Sequence, residues 1–202
     1  MNVTVAVTGA SGAVLAQQLL RALEADARVS GIDFVASEGA LRVMAEELHL
    51  SGRKELVEKL LGQMPEKTPA KKTRSYAEHD IGASIASGSY PSAGMIVLPC
   101  SMGTLAGIAN GMAGNLIERA ADVCLKERRP LLLCVRETPF NKIHLRNMQL
   151  AADAGATIFP VIPAFYNEPA TTADMVRNFV DRVLAHFGLP QPGAYIWKPG
   201  AE

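Results

Sequence analysis

The stretch that decides the fold is NVTVAVTGASGAVLAQQLLRAL, residues 2–23. Asn2–Val7 alternates and is rich in Val, which is the pattern of a strand. The alternation breaks at Thr8-Gly9-Ala10-Ser11-Gly12-Ala13, and then Val14, Leu15, Leu19, Leu20 and Leu23 recur at helical spacing. The chain therefore opens as strand, Gly-rich turn, helix. The same rhythm continues. A strand over Ile32–Ala36 runs into Ser37 and a helix carrying Leu41, Val43, Met44 and Leu48. Apolar runs at Met95–Leu98, Leu131–Val135 and Thr157–Val161 are each followed by helical patterns, including Asn115–Lys126, Leu145–Ala154 and Thr172–Phe187. Five strands alternating with helices predict one α/β domain over residues 1–202, with a mainly parallel sheet covered on both faces.

Residues 51–78 interrupt the rhythm with a high density of Lys, Arg and Glu. Leu56, Leu60 and Leu61 predict a short amphipathic helix, ended by Pro65 and Pro69. Two readings stand: a solvated excursion between sheet units, or a lid over a site.

Composition excludes several function classes. Of 202 residues, 49% are hydrophobic, and 20 Lys plus Arg balance 20 Asp plus Glu. A neutral chain has no broad basic field to hold a phosphate backbone, so nucleic acid is not expected as a partner. Zero net charge favours self-association. Cys100, Cys124 and Cys134 are odd in number and lack CxxC spacing, which points to reduced thiols rather than a disulfide framework. No basic segment precedes a long apolar core at the start, and no apolar run approaches the roughly 18 residues of a membrane span. A soluble cytoplasmic protein is the expectation.

Candidate chemistry lies just after the strands, where open parallel sheets bind ligands. Gly9-Ala10-Ser11-Gly12 either makes a tight turn or offers helix N–H groups to a phosphate. Ser101-Met102-Gly103-Thr104 either caps a helix or contacts phosphate and ring edges. Arg136 and Glu137 follow the Leu131–Val135 strand. Arg119 and Lys126, seven residues apart, share a helix face that is either solvated or functional. Tyr166 is either a core residue or a phenol reaching the site, and Arg182 lies on the last helix. The four histidines sit at no metal-ligand spacing, and no Gx₄GK[ST] loop is present. Asp33 lies inside the second strand rather than at its end, where a ribose-binding acid would stand. That favours a mononucleotide such as FMN over a nicotinamide dinucleotide.

In order along the chain, TGASGA (8–13), VASEGALRVMAEE (35–47), ASGSY (86–90), GMIVLPCSMGTLAGIANG (94–111), NLIERAADVCLKERRPLLLCVRETPF (115–140), HLRNM (144–148) and PAFYNEP (163–169) resemble the flavin prenyltransferase family, UbiX and its relatives. The resemblance implies a Rossmann-like (flavodoxin-like) three-layer α/β/α flavoprotein assembled as a homododecamer, with FMN bound where subunits meet. It implies a metal-independent transfer of the dimethylallyl group of dimethylallyl phosphate to N5 and C6 of reduced FMN. The product, prenylated FMN, serves a UbiD-type decarboxylase. On the family pattern Gly9, Ala10, Ser11, Ser37, Ser101, Met102, Gly103, Thr104 and Arg136 contact FMN. Ser87, Lys126, Tyr166 and Arg182 hold the prenyl phosphate with Arg119 and Glu137, while Ser11 and Glu47 match the pair for C6 closure. Ile81 stands where many relatives carry Trp, and Leu15 and Gln18 stand where they carry an aromatic and an Arg; Trp197 is the sole tryptophan. The signature of the related cysteine decarboxylases is missing. A non-catalytic FMN-binding or cofactor-delivery subunit is the competing reading.

Overall fold

The computed structural model describes residues 1–62 and 72–197. Its strands are β1 (Asn2–Val7), β2 (Gly31–Ala36), β3 (Thr73–Tyr76), β4 (Met95–Cys100), β5 (Leu131–Val135) and β6 (Thr157–Ile158). The helices are α1 (Ala13–Ala25), α2 (Glu38–Leu48), α3 (Leu56–Leu61), α4 (Met102–Ala109), α5 (Leu116–Lys126), α6 (Lys142–Asp153) and α7 (Thr172–His186), with a 3₁₀ turn at Ser84–Ala86. All pairings are parallel, and the order β3-β2-β1-β4-β5-β6 is the doubly wound Rossmann arrangement. The strand order reverses between β1 and β4, so the crevice for a ligand opens at the carboxyl ends of those two strands.

The pleat divides the core. Val3, Val5 and Val7 of β1, with Ile32 and Phe34 of β2, pack under α1, α2, α3 and α7. Ala6, Val35, Met95, Val97 and Leu133 face the other way, toward α4, α5 and Ala151 of α6. Every residue of β2 and β4 is buried, as expected for strands covered on both faces. In β4 the pairing with β5 shifts between Val97 and Cys100. The shift leaves Cys100 on the same side as Met95 and Val97.

Three expectations need correction. A sixth strand exists: β3, inside the charged 51–78 segment, pairs with β2 from Ile32↔Thr73 to Val35↔Tyr76. Its sequence, TRSY, carries too little apolar patterning to be read as a strand, because an edge strand is only half covered. That segment is not a solvated excursion among its described residues either. Leu56, Val57, Leu60 and Leu61 of α3 are buried in the core, and the Arg21 side chain donates to the carbonyls of Leu60 and Leu61. Neither α3 nor β3 is therefore a lid; Pro65 and Pro69 lie outside the described residues. Lastly, the run Thr157–Val161 is regular only over Thr157–Ile158, although Phe159 N and Val161 N go on donating to Leu133 O and Val135 O.

Candidate functional site

The helices that follow β1, β2 and β4 start at the carboxyl edge; a distant carboxylate closes the first, and serine hydroxyls cap the other two. At α1 the Gly12 and Ala13 amides donate to a Glu47 carboxylate oxygen at 3.0 and 2.8 Å. Glu47 comes from the last turns of α2, so a distant carboxylate fills the position that an anion would take at a helix N-terminus. Burial pushes this carboxyl up. The Ser11 side chain, the two amides and the charge of Arg136 outweigh that and hold it below the ordinary carboxylate range. Ser11, Glu47 and Arg136 thus meet in one place, although they follow β1, end α2 and follow β5. The α1 amides are consequently closed to a phosphate. Gly12 adopts φ +119°, which only glycine takes easily, and so turns the chain into α1.

The α2 and α4 starts are closed by their own hydroxyls. Buried Ser37 accepts from Ala40 N at 3.0 Å. Ser101 accepts from Thr104 N at 3.4 Å and shares a hydrogen bond with the Thr104 hydroxyl at 3.1 Å. Ser101 uses one amide of the first turn of α4 and leaves those of Met102 and Gly103 to the crevice. In α2 the Glu78 carboxylate also accepts from Glu38 N at 2.9 Å, which leaves Gly39 N. Thr8, a residue the sequence reading passed over, aligns the two loops. Its hydroxyl donates to Pro99 O at 2.9 Å and accepts from Ser101 N at 2.7 Å. Gly9 meets Gly39 so closely that a Cβ on Gly9 would lie 3.1 Å from Gly39 Cα. A Cβ on Gly103, in the first turn of α4, would meet nothing within 4 Å. Ala10 is buried beneath the turn, and Met102 is half-buried against the second core cluster.

This edge fits FMN. The amides at the α4 start, the hydroxyls of Ser37, Ser101 and Thr104, one guanidinium, and the open space over Gly103 match a phosphate and a flat ring system. Arg136 N is tied to Cys100 O at 3.1 Å, which sets β5 beside β4 at the edge. Glu137, exposed, accepts from Thr138 N at 2.9 Å.

The remaining residues form a second group along α5. Its first turn starts where Leu116 N donates to Glu78 O, and the Glu78 carboxylate accepts from Glu38 N at the head of α2. Arg119 donates to Ala86 O at 3.1 Å and to Asp122 at 2.6 Å. Two turns further, Lys126 pairs with Glu127, and both side chains crowd the Cα of Gly88, next to Ser87. Lys126 ends α5, toward the start of β5. It is therefore well removed from the Ser11–Glu47–Arg136 corner of the same chain. Tyr166, 60% exposed, lies in the loop after β6, with its ring 5.3 Å from Tyr195 and 5.5 Å from Trp197. Arg182 is exposed on α7, and Ile81, 60% exposed, lies in the turn after β3. One subunit brings Ser11, Glu47 and Arg136 together but leaves Lys126, Tyr166 and Arg182 apart from them.

Comparison with known proteins gives the family. A family model described as Flavoprotein matches residues 1–187. The flavin prenyltransferase UbiX of Salmonella typhimurium is 45% identical over 188 residues, covering 93% of this chain and 92% of that protein. A crystal structure described as a dodecameric FMN-dependent UbiX-like decarboxylase from Escherichia coli O157:H7 superposes with TM-score 0.86 at 42% identity, over 98% of this chain and 100% of that one. AnUbiX, solved in complex with FMN and dimethylallyl pyrophosphate, also gives 0.86, at 38% identity and 99% and 98% coverage. The chain belongs to the flavoprotein family and, within it, to the UbiX flavin prenyltransferases.

Proposed function

We propose that this chain joins the dimethylallyl group of dimethylallyl phosphate to N5 and C6 of reduced FMN, making prenylated FMN for a UbiD-type decarboxylase. The observation that carries the reading is the meeting of Ser11, Glu47 and Arg136 beside the open first turn of α4. Reduced FMN, when bound, supplies the nucleophilic ring atoms; the chain's residues position it and handle charge and protons. Gly9, Ala10, Ser37, the Ser101–Thr104 loop and Arg136 hold the flavin, its phosphate taken chiefly at the α4 start because Glu47 closes α1 and Glu78 occupies the first amide of α2. Departure of a phosphate from an allylic carbon leaves a delocalised cation, so the leaving dianion needs several donors at once. Ser87, Arg119, Lys126, Tyr166 and Arg182 are those donors, and Glu137 exchanges a proton with the phosphate. Ser11, hydrogen-bonded to Glu47, takes the proton released at C6 and passes it to the carboxylate.

The two residue groups lie apart in one chain, which supports a site completed by neighbouring subunits of a homododecamer in the cytoplasm. Exposed Phe165, Tyr166, Ile196 and Trp197 are the kind of apolar surface that such an assembly buries. The test is anaerobic incubation of the protein with FMN, dithionite and dimethylallyl phosphate, followed by absorbance and mass of the released flavin. A gain of one dimethylallyl group with inorganic phosphate release supports the reading. Unmodified flavin, tightly bound, would instead identify a cofactor-delivery subunit.

A further inference from the structure

A charged residue in the middle of a doubly covered parallel strand needs a reason, because burying a carboxylate is unfavourable unless it is paired and hydrogen-bonded. Asp33 is such a residue: its side chain is 0% exposed in β2. It has three partners, none of them on β2. The Tyr76 hydroxyl donates to one carboxylate oxygen at 3.1 Å, and the Tyr90 hydroxyl donates to the other at 3.0 Å. Arg74 of β3 lies 3.2 Å from Asp33 and also donates to the Tyr90 oxygen, with its guanidinium over the Tyr90 ring. Each phenol has one proton and gives it to Asp33. The hydrogen bond of 3.0 Å between Tyr76 and Ser84 therefore has Ser84 as its donor.

One carboxylate thus holds both ends of the segment 84–90, Tyr90 directly and Ser84 through Tyr76. The opposite side of the same segment is gripped by arginines. Arg119 donates to Ala86 O, and Arg129 donates to Gly88 O at 2.6 Å and Tyr90 O at 2.9 Å. Between these anchors stand the exposed hydroxyls of Ser87 and Ser89, 2.9 Å apart, beside Gly88, whose missing Cβ makes room for Lys126 and the Glu127 carboxylate paired with it. A backbone held from both sides presents two hydroxyls in fixed relation, next to the Lys126 ammonium group.

We infer that Asp33 is a positioning residue for the prenyl donor: through Tyr90 and Tyr76 it fixes the Ser87–Ser89 hydroxyls against Lys126 so that they receive the donor's phosphate. The inference rests on the reading above that Ser87 and Lys126 hold that phosphate. Tyr90→Phe tests it, since it deletes one hydroxyl and leaves the Asp33–Arg74 pair intact; Asp33→Asn is the second variant. Steady-state prenylation by the full chain is measured with saturating reduced FMN, alongside FMN affinity and hydrogen exchange of residues 84–92. The expected result for Tyr90→Phe is a rise of about tenfold in KM for dimethylallyl phosphate, as for loss of one hydrogen bond to a charged group. FMN affinity stays at the wild-type value and exchange in 84–92 quickens, and Asp33→Asn likewise raises the KM and quickens exchange with FMN affinity unchanged. Ser87→Ala and Lys126→Ala separate the two levels. If neither raises that KM, the donor-phosphate reading falls and the positioning role with it. If both raise it while Tyr90→Phe and Asp33→Asn keep the wild-type KM, the Asp33 inference alone is overturned.

Discussion

Replacing Glu47 separates a structural duty from a chemical one. In the structure its carboxylate is the acceptor for two amides of α1, Gly12 N and Ala13 N, and for the Ser11 side chain. Glu47→Ala returns the amides to solvent at a partly exposed helix start, so water replaces part of what is lost. The loss is that of a helix cap plus its dipole contribution, about 1–2 kcal/mol. For a chain of this size that lowers Tm by roughly 3–6 °C. Glu47→Gln keeps one acceptor oxygen and should lose about half as much. The pH dependence has a definite sign. Because the folded-state carboxyl is held below its ordinary value, the stability it contributes is complete above about pH 4.3, the usual glutamate value. It disappears as pH falls through the lower folded-state value. The Tm gap between wild type and Glu47→Gln should therefore be constant near neutrality and close below about pH 4. Circular dichroism melts across a pH series read this directly. The chemical duty shows in the flavin product: the Gln variant should yield flavin that carries the prenyl mass but lacks the absorbance of the closed fourth ring. A Glu47→Gln protein with wild-type Tm at neutral pH would refute the capping argument. Full ring closure in that protein would refute the proton-acceptor role.

Three further outcomes follow from the same edge. Glu137→Gln should leave FMN affinity unchanged while prenylation falls about 10²–10⁴-fold, as for loss of a general acid–base group; equal losses in both would mean that Glu137 only orients its neighbours. Gly103→Ala should raise stability by about 0.4–1 kcal/mol, since the helical position has open space, yet weaken FMN binding measured by flavin fluorescence quenching. Unchanged FMN affinity there would move the flavin away from α4. Gly9→Ala should destabilise by about 1–3 kcal/mol in urea melts, because its Cβ meets the Gly39 backbone and not a side chain that can turn aside.

What the sequence made legible follows from range. Strand, turn and helix are local patterns, so β1, α1, β2, β4 and β5 were readable from residues 2–36 and 95–135, and the carboxyl-edge loops came with them. Asn115 was placed at the head of α5, and it caps that helix by accepting from Glu118 N. The start of α6 was placed at Leu145, whereas Asn141 caps it and Lys142 begins it. The cue there, Asn followed three residues later by His, is weaker than the usual Asn-to-Glu spacing. The carboxylates were a different matter. Glu24 accepts from Lys72 N and from Thr73, Asp33 from Tyr76 and Tyr90, and Glu47 from Gly12 and Ala13. Each partner is between 34 and 57 positions away, and no local pattern marks the pairing. Only the family resemblance singled out Glu47, and nothing singled out Glu24 or Asp33 as anchors.

Two of these carboxylates, Glu24 and Asp33, also explain how an edge strand as polar as TRSY stays in the sheet. Glu24 takes both amides at the entrance to β3, Lys72 N and Thr73 N, together with the Thr73 hydroxyl. Asp33 takes Arg74 and Tyr76, one residue above and one below Ser75. So β3 is held from the α1 face by one buried acid and from the α5 face by another, in place of the apolar burial its neighbours enjoy. Fully satisfied polar anchors of this kind are directional where apolar contacts are not, and they tolerate little sliding. A slip of β3 by one residue would turn Arg74 and Tyr76 to the opposite face and cost Asp33 both of its partners on β3. Register along β2 and β3 is thereby specified without hydrophobic patterning, and the segment that follows β3 and carries Ser84–Tyr90 inherits its position from that register.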